Sequence, residues 1–178
     1  MNNLKIAVCG ASGKMGRALI GTIRDGEALE LSGALEVPGN PYLGKDAGAL
    51  LGFEAGVSIS SDIATIIDGA DVLIDFTRPD GTLRHLEACV SHKTAMVIGT
   101  TGFSDQEKAA IKQAAETIPI MMAPNMSVGV NVLLRLLKTA AQALDEGYDI
   151  EIVEAHHKHK VDAPSGTALR MGEVIAES

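Results

Sequence analysis

The chain has 178 residues, of which 46% are hydrophobic and only 3% aromatic, with no Trp, so any core must be aliphatic. That composition favours helices layered on a parallel sheet over an aromatic-rich β-sandwich, and the length suits one domain, or one domain and part of a second. A formal net charge of -8 speaks against a nucleic-acid partner, because phosphate binding needs a basic surface.

In chain order, Leu4 to Cys9 is a short apolar run that reads as a buried strand. It lies within the start MNNLKIAVCG, which has neither the long apolar stretch of a signal peptide nor a membrane span, so the cytoplasm is the expected location. Gly10 to Gly16 is a glycine loop, and Met15 to Asp25 carries apolar residues at helical spacing. Leu29 to Leu35 reads as a second strand ending at Glu36, and Val37 to Gly56 is Gly/Pro-rich with little regular pattern, the least ordered segment expected. A short strand is expected over Val57 to Ile59, a short helix over Asp62 to Asp68 and a strand over Val72 to Phe76. Pro79 and Asp80 start a helix that runs to His92, and Ala95 to Ile98 is a strand. Ser104 caps a helix to about Glu116, Ile118 to Met122 is a strand, and Ser127 to Leu144 is a long helix. Tyr148 to Ala155 reads as a strand and Gly166 to Glu177 as a helix. Strand alternating with helix throughout is the signature of βαβ units, so the expected fold is a doubly wound parallel α/β sheet. Cys9 and Cys89 make neither a disulfide framework nor a metal spacing, and both read as buried thiols.

Gly10-Ala11-Ser12-Gly13-Lys14-Met15-Gly16 follows the first strand and opens the first helix. Glycines let backbone approach a pyrophosphate, and the N–H groups at the helix start favour its charge. The spacing is G-x-x-G-x-x-G, which meets the usual fingerprint only in part. Glu36, at the end of the second strand, strengthens the reading, since an acid there accepts hydrogen bonds from the adenosine ribose hydroxyls. Val37 stands where an Arg would hold a 2′-phosphate, so NADH is expected to be tolerated or preferred, while Lys14 and Arg17 leave NADPH open. Three more strand ends face the same edge: Asp75 to Pro79, Gly99-Thr100-Thr101-Gly102, and Ala123-Pro124-Asn125-Met126-Ser127, where Thr101 and Asn125 offer polar contacts.

Glu154 to Ala168 holds three of the five histidines and ends at a helix start. Ser165 can cap that helix and leave the N–H groups of Gly166 and Thr167 for a carboxylate, to which His157 and Lys160 can add charge-assisted hydrogen bonds. A small dicarboxylate would be matched by such a pocket, and a His or Lys there can supply the proton that reduction of an unsaturated ring requires. The spacing of His156, His157 and His159 matches no standard zinc motif, and no metal is expected.

The stretches GASGKMG, DFTRP, VIGTTGF, APNMSVGVN and EAHHKHKVDAPSGTAL resemble, in order and spacing, the dihydrodipicolinate reductase (4-hydroxy-tetrahydrodipicolinate reductase) family, from Leu4 to the C-terminus. The resemblance implies a Rossmann-like domain over residues 1–127 and the start of an α+β substrate domain over 128–178. It also implies reduction of 4-hydroxy-tetrahydrodipicolinate to tetrahydrodipicolinate by NADH or NADPH, with loss of water. On the same footing, His156 and Lys160 would be the catalytic proton donors, and His157, Gly166 and Thr167 would hold the substrate carboxylates. Gly10, Ala11, Ser12, Gly13, Lys14, Met15, Glu36, Gly99, Thr100, Thr101, Ala123, Pro124, Asn125 and Met126 would hold the cofactor. Members of the family continue past the SGTA segment and form homotetramers, so this chain is expected to be a piece of a longer protein. The alternative reading is a truncated dinucleotide-binding module without turnover.

Overall fold

Along the first strand, β1 (Leu4–Cys9), four consecutive side chains are buried, but not in the same place. Ile6 and Val8 belong to one apolar cluster, Ala7 and Cys9 to another, because successive side chains of a strand point to opposite faces. A strand apolar on both faces belongs in the middle of a covered parallel sheet. A computed structural model, which describes residues 3–144, 147–158 and 163–178, places it there.

Five more strands complete the sheet: β2 (Leu29–Leu35), β3 (Ile59–Ser60), β4 (Val72–Asp75), β5 (Ala95–Ile98) and β6 (Ile120–Met122). All ladders are parallel and the spatial order is β3-β2-β1-β4-β5-β6. The winding reverses between β1 and β4, which makes a topological switch point at their carboxyl ends. Ile20 and Ile23 of helix α1 (Lys14–Asp25) pack on the face of Ile6 and Val8. On the other face lie Ile66 and Ile67 of α2 (Ile63–Ile67), Leu86 and Cys89 of α3 (Pro79–His92), and Ile111 of α4 (Asp105–Ala114). The two cysteines are buried and unlinked, as expected, and burial pushes the Cys89 thiol up to about 12.

Local chemistry sets the helix ends. Asp62 caps α2 by accepting the Ala64 N–H, Pro79 occupies the first turn of α3, and Ser104 and Glu107 form a reciprocal capping box on α4. The segment 37–56 holds more order than its composition suggested. It contains a 3-10 turn, Ala49–Leu51, and the Asp46 carboxylate accepts the backbone N–H groups of Gly48, Ala55 and Gly56, each at 2.8 Å. These bonds, Ala55's first, hold the Asp46 carboxyl below its ordinary range. The Asp46–Ser58 bridge takes the middle residue of the strand expected over Val57 to Ile59, and the ladder with β2 begins at Ile59.

The chain divides into two compact units, residues 1–122 and 123–178. The second contains α5 (Val128–Ala143) and α6 (Gly166–Ala176), capped by Ser127 and Ser165 respectively. The strand expected over Tyr148 to Ala155 is not formed: these residues pair in no ladder. Apolar alternation suits a strand, but hydrogen bonding makes one, and among the described residues of this unit no segment pairs with it.

Candidate functional site

In the first unit, the glycine loop turns at Gly10, whose φ of 66° is left-handed. At Gly16 the loop and the first turn of α1 approach so closely that a Cβ would stand 2.1 Å from the Gly10 carbonyl oxygen. Gly13 is the N-cap of α1 and offers no side-chain acceptor, and the first turn holds no acidic residue. The N–H groups at the helix start are therefore not satisfied by a side-chain cap and stay open to solvent or an anion. Lys14 and Met15 lie exposed in that turn, Gly13 is exposed and Ala11 is buried.

Glu36 comes back to this loop. Its Oε1 accepts the Ser12 N–H at 2.9 Å and the Ser12 hydroxyl at 2.6 Å, and its Oε2 accepts the Val37 N–H at 3.2 Å. Asn40 Nδ2 also donates to Ser12 Oγ, at 3.3 Å. An ionised carboxylate has about four acceptor positions, so Oε2 keeps capacity for a ribose hydroxyl while Oε1 fastens the loop. The Ser12–Glu36 coupling spans 24 residues and has no local sequence signal.

At the ends of β4 and β5 the structure separates two neighbouring threonines. Thr101 is exposed, whereas Thr100 is buried, accepting a hydrogen bond from the Thr82 hydroxyl at 2.9 Å and donating to Asp75 Oδ1 at 3.4 Å. Asp75 is fully buried, and His85 Nδ1 lies 2.6 Å from its Oδ2. Burial works against the Asp75 charge, but hydrogen bonds from His85 and Thr77 outweigh it and hold the carboxyl below its ordinary range. Asp75 was expected only as part of a strand end facing the glycine-loop edge, and His85 was not expected at all. Their signal, DFTRP followed by a His on the next helix turns, is visible only once β4 and α3 are side by side.

In the second unit, Asn125 is fixed from three directions. Its Oδ1 accepts the Ser127 N–H at 2.9 Å, its Nδ2 donates to Thr167 Oγ1 at 3.2 Å, and its carbonyl oxygen accepts from Asn131 Nδ2 at 3.1 Å. Beside it lies a cavity of about 80 Å³ lined in part by Ala123, Pro124, Asn125, Thr167 and Arg170. Met126 is half-buried. Ser165 Oγ accepts the Ala168 N–H at 3.1 Å, the usual bond of a helix N-cap. The Ser165 N–H goes to Glu154 Oε1 at 2.8 Å, and Glu154 Oε2 lies 3.5 Å from Nδ1 of His156. Glu154 thus links the histidine segment to the helix start. His156 and His157 are exposed, while His159 and Lys160 lie outside the described residues.

A doubly wound parallel sheet in this strand order, with a glycine turn at a bare helix start and an acid ending the second strand, defines a Rossmann-like nucleotide-binding protein. The family model for the N-terminal part of dihydrodipicolinate reductase matches residues 4–126, and that for the C-terminal part matches residues 129–178. The chain belongs to the dihydrodipicolinate reductase family. It is 62% identical over 178 residues to the 4-hydroxy-tetrahydrodipicolinate reductase of Nitrosomonas europaea, matching 100% of this chain and 66% of that protein. The corresponding protein of Janthinobacterium sp. (strain Marseille) is 61% identical over 176 residues, 99% of this chain and 66% of that protein. A solved dihydrodipicolinate reductase from Paenisporosarcina sp. TG-14, with dipicolinate bound, superposes with a TM-score of 0.74 at 31% identity, over 98% of this chain and 66% of that one. The chain thus spans 66% of the length of these relatives. No helix of the described residues is long and apolar enough to cross a membrane.

Proposed function

We propose that this chain takes part in the NADH- or NADPH-dependent reduction of 4-hydroxy-tetrahydrodipicolinate to tetrahydrodipicolinate, with loss of water, a cytoplasmic step of lysine and diaminopimelate biosynthesis. One observation carries it: both halves of the reductase family are matched in a chain whose glycine loop leaves the start of α1 bare beside Glu36.

Residues 1–127 form the dinucleotide-binding domain and residues 128–178 the start of the substrate domain. Gly10 to Met15, Glu36, Gly99 to Thr101 and Ala123 to Met126 hold the cofactor, and bound NAD(P)H supplies the hydride. The substrate is a small dicarboxylate whose carboxylates take the N–H groups of Gly166 and Thr167 and a charge-assisted bond from His157. His156 and Lys160 supply the proton that balances the hydride. The Glu154 oxygen 3.5 Å from His156 Nδ1 supports that role, since it orients the imidazole ring. The full-length protein is a homotetramer.

The unladdered segment Tyr148 to Ala155 favours a second reading, in which this stretch alone binds dinucleotide without turnover. Titrating NADH and NADPH, and assaying oxidation with freshly generated substrate, separates the two when done on this chain and on one extended to the relatives' length. Binding by both and turnover by the longer chain is expected. Binding without turnover in both would sink the enzyme reading. In the longer chain, Lys160→Ala should lower turnover strongly and leave NADH affinity nearly intact, and an equal loss of both would mark that Lys as structural.

A further inference from the structure

Asp75, the last residue of β4, gathers more of the first unit's polar groups than any ordinary strand end requires. Its Oδ1 accepts the Thr77 N–H and the Thr77 hydroxyl, both at 2.7 Å, and the Thr100 hydroxyl at 3.4 Å. Its Oδ2 lies 2.6 Å from His85 Nδ1, and since a carboxylate only accepts, that nitrogen carries the proton. Thr82 extends the chain by donating to Thr100. The Thr77 methyl packs against Gly10, where an added Cβ would meet it at 3.3 Å. One buried carboxylate thus fastens the loop after β4, the loop after β5 and helix α3, and through Thr77 it backs the turn of the glycine loop.

Cys9, Asp75 and His85 offer donor atoms within 4.8 Å of one another, which raises a metal site. The geometry opposes it. Two ligands of one tetrahedral zinc at about 2.0–2.1 Å sit about 3.3 Å apart. The 2.6 Å separation of Nδ1 and Oδ2 is that of a hydrogen-bonded proton.

We infer that Asp75 is a positioning residue for dinucleotide binding. It touches no ligand itself. By fixing Thr77 and Thr100 it holds the backbone of Gly10 and of Gly99 to Thr101 in the shape the cofactor meets, which spares the ligand the ordering of those loops. The inference rests on the cofactor role proposed above for those two loops.

The experiment is an NADH titration of this chain and its variants, paired with amide hydrogen exchange. Asp75→Asn keeps an acceptor for Thr77 and loses the one for His85, whereas Asp75→Ala loses both. NADH Kd should rise about tenfold for the first and about a hundredfold for the second, in line with one and then several lost charge-assisted bonds. Exchange should quicken at Gly10 to Gly13 and Gly99 to Gly102 while α4 keeps its protection. A merely structural carboxylate would instead quicken exchange throughout the unit. Thr77→Val keeps the methyl against Gly10 and decides the matter if neither Asp75 variant folds; it should raise Kd several-fold at a nearly unchanged Tm. Wild-type binding together with unchanged Kd in the folded variants overturns the inference and spares the cofactor reading. No NADH binding by the wild-type chain overturns both.

Discussion

Gly16→Ala puts a single methyl into the tightest contact of the glycine loop. The new Cβ would stand 2.1 Å from the Gly10 carbonyl oxygen and 2.8 Å from Ala11 Cα, where ordinary contact begins at 3.4 Å. The three nearest atoms are all backbone, so no rotamer can swing aside. Either α1 lifts from β1 or the loop opens by about 1 Å, and overpacking of this kind typically costs about 1–3 kcal/mol. If the whole strain falls on the ligand-binding geometry, NADH Kd rises about 5- to 150-fold. If it falls on the fold, Tm drops by roughly 2–12 °C for a chain of this size. The control is Gly21→Ala in the same helix, where a Cβ meets nothing within 4 Å. It should gain about 0.5–1 kcal/mol by the helix propensity of Ala and leave NADH affinity alone. Fluorescence titration and thermal melts read both quantities. A Gly16→Ala protein with wild-type Tm and wild-type Kd would refute the close approach described for the loop.

Glu36→Ala strips Ser12 of its acceptor and should raise NADH Kd on the order of tenfold, which titration checks; an unchanged Kd would separate Glu36 from the ligand. Asp75 gives stability a pH dependence of known sign. Its carboxyl is held below the ordinary value of about 3.9, so its contribution is complete above that value and is lost as pH falls through the folded-state value. Urea unfolding should therefore show a gap between wild type and Asp75→Asn that is constant above about pH 5 and narrows below about pH 4. Ser165→Ala removes the cap on the Ala168 N–H and should cost about 1 kcal/mol, seen as faster hydrogen exchange in α6 with α1 to α4 unchanged.

The fold was legible wherever a residue's role depends on near neighbours in sequence. Ile6 to Cys9 is apolar on both faces and reads as a buried strand; Ser104 announces α4 because its partner Glu107 is three residues away. Glu36 was legible as an acid at a strand end, but not as the clasp of Ser12, because that bond depends on how β1 and β2 pair. Asp75, His85 and Thr100 stand up to 25 residues apart and meet only across β4, β5 and α3, so their grouping is a property of the assembled sheet. The same reason explains the inward turn of Thr100 beside the exposed Thr101, two residues that sequence treats alike. Tyr148 to Ala155 fails in the opposite way: its pattern suits a strand, and pairing, which pattern does not contain, is what is missing.

The sheet's two margins are its shortest strands, β3 with two residues and β6 with three. A margin that short presents few unpaired backbone groups, which blunts both edges as templates for pairing with another copy of this unit. Short margins of this kind shift the burden of any association between copies from backbone ladders towards side chains.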